Sequence, residues 1–133
     1  MPSKKIYYDN ALQTIEGIKR KTSGSSISVI DKVVIDFDTC LLHRNGQRLR
    51  FGADGLLNTL SMSYKVMVFS TRISMKKLAK LVSYNYRINI IGKEVVGHHI
   101  SYINNLPSTS VLITDKNTTH SYNNPSQYIH IPT

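Results

Sequence analysis

The spacing of apolar positions changes at residue 27. Upstream of it, NALQTIEGIKR places Leu12, Ile15 and Ile18 on one helical face, which predicts a short amphipathic helix. KRKTSGSS follows as a basic, flexible linker. Residues 1–26 are therefore expected to form an N-terminal extension, either a partner-binding arm or a loosely packed appendage.

Downstream, ISVIDKVVIDF is rich in β-branched residues, and Val33, Val34 and Ile35 form a continuous apolar run, as in a strand buried on both faces. FGADGLLNTLSMS predicts a helix with Leu56, Leu57 and Leu60 on one side. KVMVF, residues 65–69, predicts a second strand. SMKKLAKLVSYN predicts a helix with Ser74 as N-cap, Leu78, Leu81 and Val82 inward, and Lys76, Lys77 and Lys80 outward. RINIIG, SVLIT and QYIHI supply third, fourth and fifth strands, while residues 94–106 follow neither period. Strands alternating with helices predict an α/β domain around a mostly parallel sheet. No repeat or low-complexity segment interrupts it.

A chain of 133 residues with 41% apolar content is long enough for one domain with its own core. No apolar run approaches the roughly 18–20 residues of a membrane span, and MPSKKIYYDN lacks the apolar centre of a signal peptide. Cys40, the single cysteine, excludes an internal disulfide and fits a reducing, cytoplasmic or nuclear compartment. The wealth of Asn, Ile, Lys and Tyr fits an AT-rich genome such as that of a virus or parasite. Nothing in the pattern fixes an oligomeric state.

Seventeen basic against eight acidic residues give a net charge of +9. Such a balance favours polyanionic partners, namely nucleic acid, phosphorylated peptide or an anionic membrane face; the plain alternative is a protein that is merely basic. The charge is not confined to a tail. Residues 1–32 hold six basic and three acidic residues, and residues 33–133 hold eleven and five.

Those five acids are unevenly placed. In open parallel sheets, ligands lie beyond the carboxyl ends of the strands. Asp36 and Asp38 follow the first core strand, Ser70, Thr71 and Arg72 the second, and Asp115 the fourth. Three of the five acids thus fall at strand ends. This layout suits phosphoryl transfer through an aspartyl-phosphate: one carboxylate attacks phosphorus, and a second acid protonates the leaving oxygen and then activates water. Mg²⁺ needs only one or two protein carboxylates, and a strand-end hydroxyl and a cation would hold the remaining phosphate oxygens.

Three blocks in order carry a resemblance. IDFDTCLLH resembles the apolar strand and D-x-D motif of the haloacid dehalogenase superfamily, closest to the branch of TFIIF-associating and small C-terminal-domain phosphatases, His43 included. LRFGADGLLNTLSMSYKVMVFST resembles that branch's next stretch, with Arg50, Gly52 and Asp54, a Leu-rich helix, and a strand ending in Phe and a hydroxyl. VLITDKNTTHSYNNPSQYIHI resembles its end, with an Asp after a strand and a loop holding Pro125. The resemblance covers about residues 33–131. It implies a haloacid dehalogenase-like Rossmannoid domain over residues 27–133, with minimal or no cap and so an open site suited to large substrates. It further implies a Mg²⁺-dependent phosphatase acting on phosphoprotein, with Asp36 as nucleophile and metal ligand. Asp38 would be general acid/base, lending its backbone carbonyl to the metal; Ser70 would bind the phosphoryl group and Asp115 complete the metal site.

The chain departs from that branch at three places. Cys40 stands where Thr is usual; the lost hydroxyl would loosen the nucleophile loop, whereas the similar size of a thiol would preserve its packing. Lys116 follows Asp115 where Asp or Asn is common. The phosphate-binding lysine expected within residues 93–104 has no clear counterpart: Lys93 lies at the edge of the window, His98 and His99 lie inside it, and Lys116 offers charge from the neighbouring strand end. Arg72 is either a phosphate contact or a surface arginine. Adjacent histidines on a strand point opposite ways, so His98 and His99 read as structural or surface residues rather than a metal pair. Tyr84, Tyr86, Tyr102 and Tyr122 read as packing residues before stacking ones. The departures leave a second function open, a non-catalytic descendant binding nucleic acid, acidic protein or anionic lipid. Joining the chemistry to the charge gives a third, a phosphatase acting on RNA or DNA ends.

Overall fold

The computed structural model describes residues 5–22, 30–43, 46–70, 72–82, 88–93, 110–114 and 127–131. Among them the elements run α1 (Lys5–Thr22), β1 (Lys32–Asp36), a single π-helical turn (Phe37–Leu41), α2 (Ala53–Ser61), β2 (Lys65–Phe69), α3 (Met75–Leu81), β3 (Ile88–Ile91), β4 (Ser110–Thr114) and β5 (Gln127–His130). The strands form one sheet in the order β3-β2-β1-β4-β5, every neighbouring pair parallel. This is the α/β architecture the pattern predicts.

Position in the sheet explains composition. β1 lies at the centre, between β2 and β4, and Val33, Val34 and Ile35 are fully buried, since both faces of the strand are covered. β4 is buried along its whole length. Alternation sends Val33, Ile35, Val66, Val68, Ile88, Val111, Ile113 and Ile129 into the main core, where α1, α2 and α3 also bury residues. Ala53, Leu56, Leu57 and Leu60 of α2 recur at three- and four-residue intervals and form its buried stripe. Among the described residues, the opposite face buries a smaller cluster of Val34, Phe69 and Leu112.

The N-terminal helix differs from the expectation. It begins at Lys5, ahead of the predicted segment, and for residues 5–17 it is no loosely packed appendage. Tyr8, Ala11 and Ile15 are each 1% exposed and belong to the main core, with Leu12 packed against it. An aromatic at position 8 and a small residue at 11 extend the apolar stripe by about one turn. Ile18 lies where side chains are not described.

Two glycines answer to geometry. Gly52, at φ 91°, turns the chain into α2 in the left-handed region, and Tyr8 and Lys5 pack close to where its side chain would stand. Gly92, just past β3, lies against the start of α3: an added Cβ would sit 2.4 Å from the Met75 nitrogen and 2.8 Å from the Ser74 carbonyl carbon. Those atoms are backbone and cannot swing aside. Gly92→Ala is therefore expected to push α3 away from β3 and to cost about 1–3 kcal/mol. A urea midpoint equal to that of the parent protein would contradict this packing.

Ser74 caps α3 as the sequence predicts, its Oγ accepting from the Lys77 N–H at 3.3 Å. Leu78 and Val82 are buried and Leu81 is half-buried, while Lys76, Lys77 and Lys80 are exposed.

Candidate active site

The chain lays β2 and then β3 on one side of β1, then crosses over to place β4 and β5 on the other. The direction of winding reverses between β1 and β4, and in such sheets the crevice beyond the carboxyl ends of those two strands is the place for a ligand. Asp36 ends β1 there and is only 6% exposed. Thr114 ends β4 beside it, its hydroxyl donating to Asp36 Oδ2 at 3.5 Å, the long limit of a hydrogen bond.

Past Asp36 the chain enters the π-helical turn rather than an ordinary helix. Turns of this kind are rare, and they are frequent at functional sites. The turn carries Asp38 back toward the strand ends, its side chain 9% exposed. It is anchored from α1: the Tyr8 hydroxyl donates to the Cys40 carbonyl at 2.5 Å. Burial pushes the Tyr8 phenol above its ordinary range, although nearby Arg50 pulls the other way. Cys40 itself is fully buried, with its sulfur 3.6 Å from Thr39 Oγ1. Tyr8 thus restrains the backbone at this position.

After the turn, Leu42 pairs antiparallel with Leu49, and the Arg50 guanidinium donates to the Leu42 carbonyl at 2.8 Å. Arg50 is thereby buried as a structural tie.

Ser70, one residue past β2, is fully buried and all three bonding positions of its hydroxyl are used. It donates to Asp38 Oδ1 at 2.6 Å and accepts from the N–H groups of Arg72 at 3.1 Å and Ile73 at 2.9 Å. It therefore fixes the Asp38 carboxylate and its own turn at once. A phosphoryl oxygen would have to compete with Asp38 for that proton. The turn is also clamped to β3, with the Ser70 N–H donating to Ile91 and the Lys93 N–H to Ile73. Arg72 lies with Nε 3.8 Å from Asp38 Oδ2, its side chain 68% exposed. An ion pair so open to water contributes little stability and leaves the guanidinium available to a ligand.

The structure thus brings Asp36, Asp38, Ser70 and Arg72 together at the carboxyl edge of the sheet. Lys93 is exposed at the end of β3, tied to the same turn through its backbone. Thr71, Asp115 and Lys116 lie outside the described residues, as do His98, His99, Tyr84, Tyr86, Tyr102 and Tyr122. Among the described residues no group of three or more His, Cys, Asp or Glu side chains gathers to hold a metal. Nor, among them, is any helix long and apolar enough to cross a membrane.

Sequence reasoning missed Tyr8 and Thr114. The first carried a signal, since Tyr8, Ala11 and Ile15 share one helical face. The second stands directly before Asp115 and passes for an ordinary strand-end hydroxyl.

Replacing Ser70 by Ala should take the hydroxyl from two N–H groups and remove one of the contacts that hold Asp38. In the general acid/base role that the resemblance implies for Asp38, a misplacement of about 1 Å would cost on the order of 10²-fold, so kcat should fall by about that factor with KM little changed. Steady-state kinetics on an aryl phosphate would check it. A raised KM at full kcat would assign the hydroxyl to ground-state substrate binding instead.

No family model matches the chain, and neither a curated protein nor a solved structure matches it.

Proposed function

We propose that this chain is a Mg²⁺-dependent phosphatase that forms an aspartyl-phosphate on Asp36, with phosphoserine or phosphothreonine of proteins as its substrate. One observation carries the reading. A nearly buried carboxylate ends the central strand at the reversal of strand order, and a second carboxylate two residues on is held in place from β2. A surface turn would have no need of either arrangement. The resemblance of the D-x-D segment and the two later blocks agrees with it and directs the substrate toward phosphoprotein.

In the first step a lone pair of the Asp36 carboxylate forms the new O–P bond. The P–O bond to the substrate oxygen breaks, and that oxygen leaves with a proton from Asp38. In the second, Asp38 takes a proton from water, the water oxygen bonds to phosphorus, and the Asp36 carboxylate departs. Ser70 keeps Asp38 in register through both halves, and Arg72 is within reach of the phosphoryl oxygens.

The donors in the crevice are hard oxygens, which fits Mg²⁺. The Asp36 carboxylate, the Asp38 carbonyl and the carboxylate of Asp115, next in the chain after Thr114, would hold it. When bound, Mg²⁺ offsets the repulsion between the nucleophile and the phosphate dianion.

Hydrolysis of an aryl phosphate should therefore vanish on chelation with EDTA and return when Mg²⁺ is restored. Full activity in EDTA would remove the metal from the account. A second reading, a non-catalytic module of the same fold binding a polyanion, is favoured by the exposure of Arg72, Lys76, Lys77, Lys80 and Lys93. It predicts no hydrolysis under any metal condition.

A further inference from the structure

Between Asp54 and Glu94 the sequence holds seven basic residues and no acidic one. The fold gathers five of these side chains, all exposed, along α3 and at its head. Lys76 and Lys80 lie four apart and Lys77 and Lys80 three apart, so they are neighbours on the helix surface. Arg72 precedes the helix and Lys93 is joined to the same turn through Ile73. Like charges this close repel one another; the segment supplies no carboxylate of its own, and Arg72 is offset in part by Asp38 from outside it.

The turn at the head of this helix borders the candidate active site. Arg72 reaches Asp38, and the Ser70 turn that fixes Asp38 runs directly into α3. We propose that α3 is a docking surface for acidic or further phosphorylated residues flanking the scissile phosphoresidue of a protein substrate. The inference rests on the phosphatase reading and narrows its substrate. The dimensions agree: a seven-residue helix is about 10 Å long, which an extended peptide covers in about three residues. A nucleic acid is the poorer fit. Its single strands bind through rows of aromatic side chains, and the exposed residues of α3 are Met75, Lys76, Lys77, Ala79 and Lys80.

The test compares two phosphoserine peptides of equal length, one with three acidic residues on each side of the phosphoserine and one with neutral flanks. The parent protein should favour the acidic peptide in kcat/KM by about tenfold or more at low salt, the preference shrinking as salt rises. Lys76→Gln/Lys77→Gln/Lys80→Gln should bring the ratio to about one while leaving aryl phosphate hydrolysis unchanged; glutamine keeps helix propensity at these exposed positions. An equal preference in parent and variant, or none in the parent, overturns the proposal.

Absence of aryl phosphate hydrolysis would instead defeat the phosphatase reading. Docking is then read separately, by fluorescence anisotropy of the labelled acidic peptide on Asp36→Asn. Binding weakened by about tenfold or more in the triple variant supports the surface, and unchanged binding overturns it. A single-stranded oligonucleotide that binds more tightly than the peptide, and loses that affinity with the lysines, also overturns it.

Discussion

Asp36→Asn is expected to abolish turnover of an aryl phosphate, lowering kcat by at least about 10³-fold while the protein keeps its fold. The size follows from the proposed role as nucleophile. Losing a covalent nucleophile removes the whole two-step route and leaves only what binding and electrostatics supply, and such losses run from about 10³ to 10⁶. The amide is nearly isosteric, so packing around β1 should hold, and circular dichroism and thermal melting provide that control. Asp36 is nearly buried and accepts from Thr114, and the amide can accept through its carbonyl oxygen in the same orientation. Comparable rates in parent and variant would mean that Asp36 is no nucleophile.

Tyr8→Ala is expected to have the largest effect on stability. Tyr8 is 1% exposed and lies in the main core, and truncating a buried aromatic costs about 3–5 kcal/mol. For a chain of this size that lowers Tm on the order of 10 °C. Part of the cost is local to the site, because the Tyr8 hydroxyl holds the Cys40 carbonyl on the turn that carries Asp38. Tyr8→Phe separates the two contributions. It keeps the ring, removes the hydrogen bond to the Cys40 carbonyl and should cost about 1 kcal/mol, with a larger relative loss of kcat than of stability.

The same residue sets an alkaline limit. Burial raises the Tyr8 phenol above its ordinary value of 10.0 in the folded state. Below that value both states carry the proton. Above it the unfolded chain releases the proton while the folded chain retains it, so stability falls as pH rises. Denaturation followed across about pH 8 to 11 should show a steeper fall for the parent than for Tyr8→Phe. Parallel curves would contradict the burial argument.

These residues show where sequence reading reached and where it stopped. The strands were legible because both-sided burial demands continuous apolar runs, and β1, β2 and β4 carry them. The Ser74 cap and the lysine face of α3 were legible because helix periodicity and capping are local. Of the candidate site, Asp36 and Asp38 at the end of β1 were legible as acids at a strand end in a chain that has few. Tyr8 was not, because its role is a contact between residues 32 positions apart, on elements the pattern treated separately. Nor was the occupancy of the Ser70 hydroxyl, which depends on how a π-helical turn aims Asp38, and no propensity encodes such a turn.

One measurement bears most directly on the claim that Asp36 carries the phosphoryl group. Protein turning over substrate with Mg²⁺ is quenched, treated with borohydride to reduce any acyl phosphate to the alcohol, and digested for mass spectrometry. Homoserine is expected at position 36, absent without substrate. Reduction at another carboxylate, or turnover with residue 36 always recovered as aspartate, would contradict it.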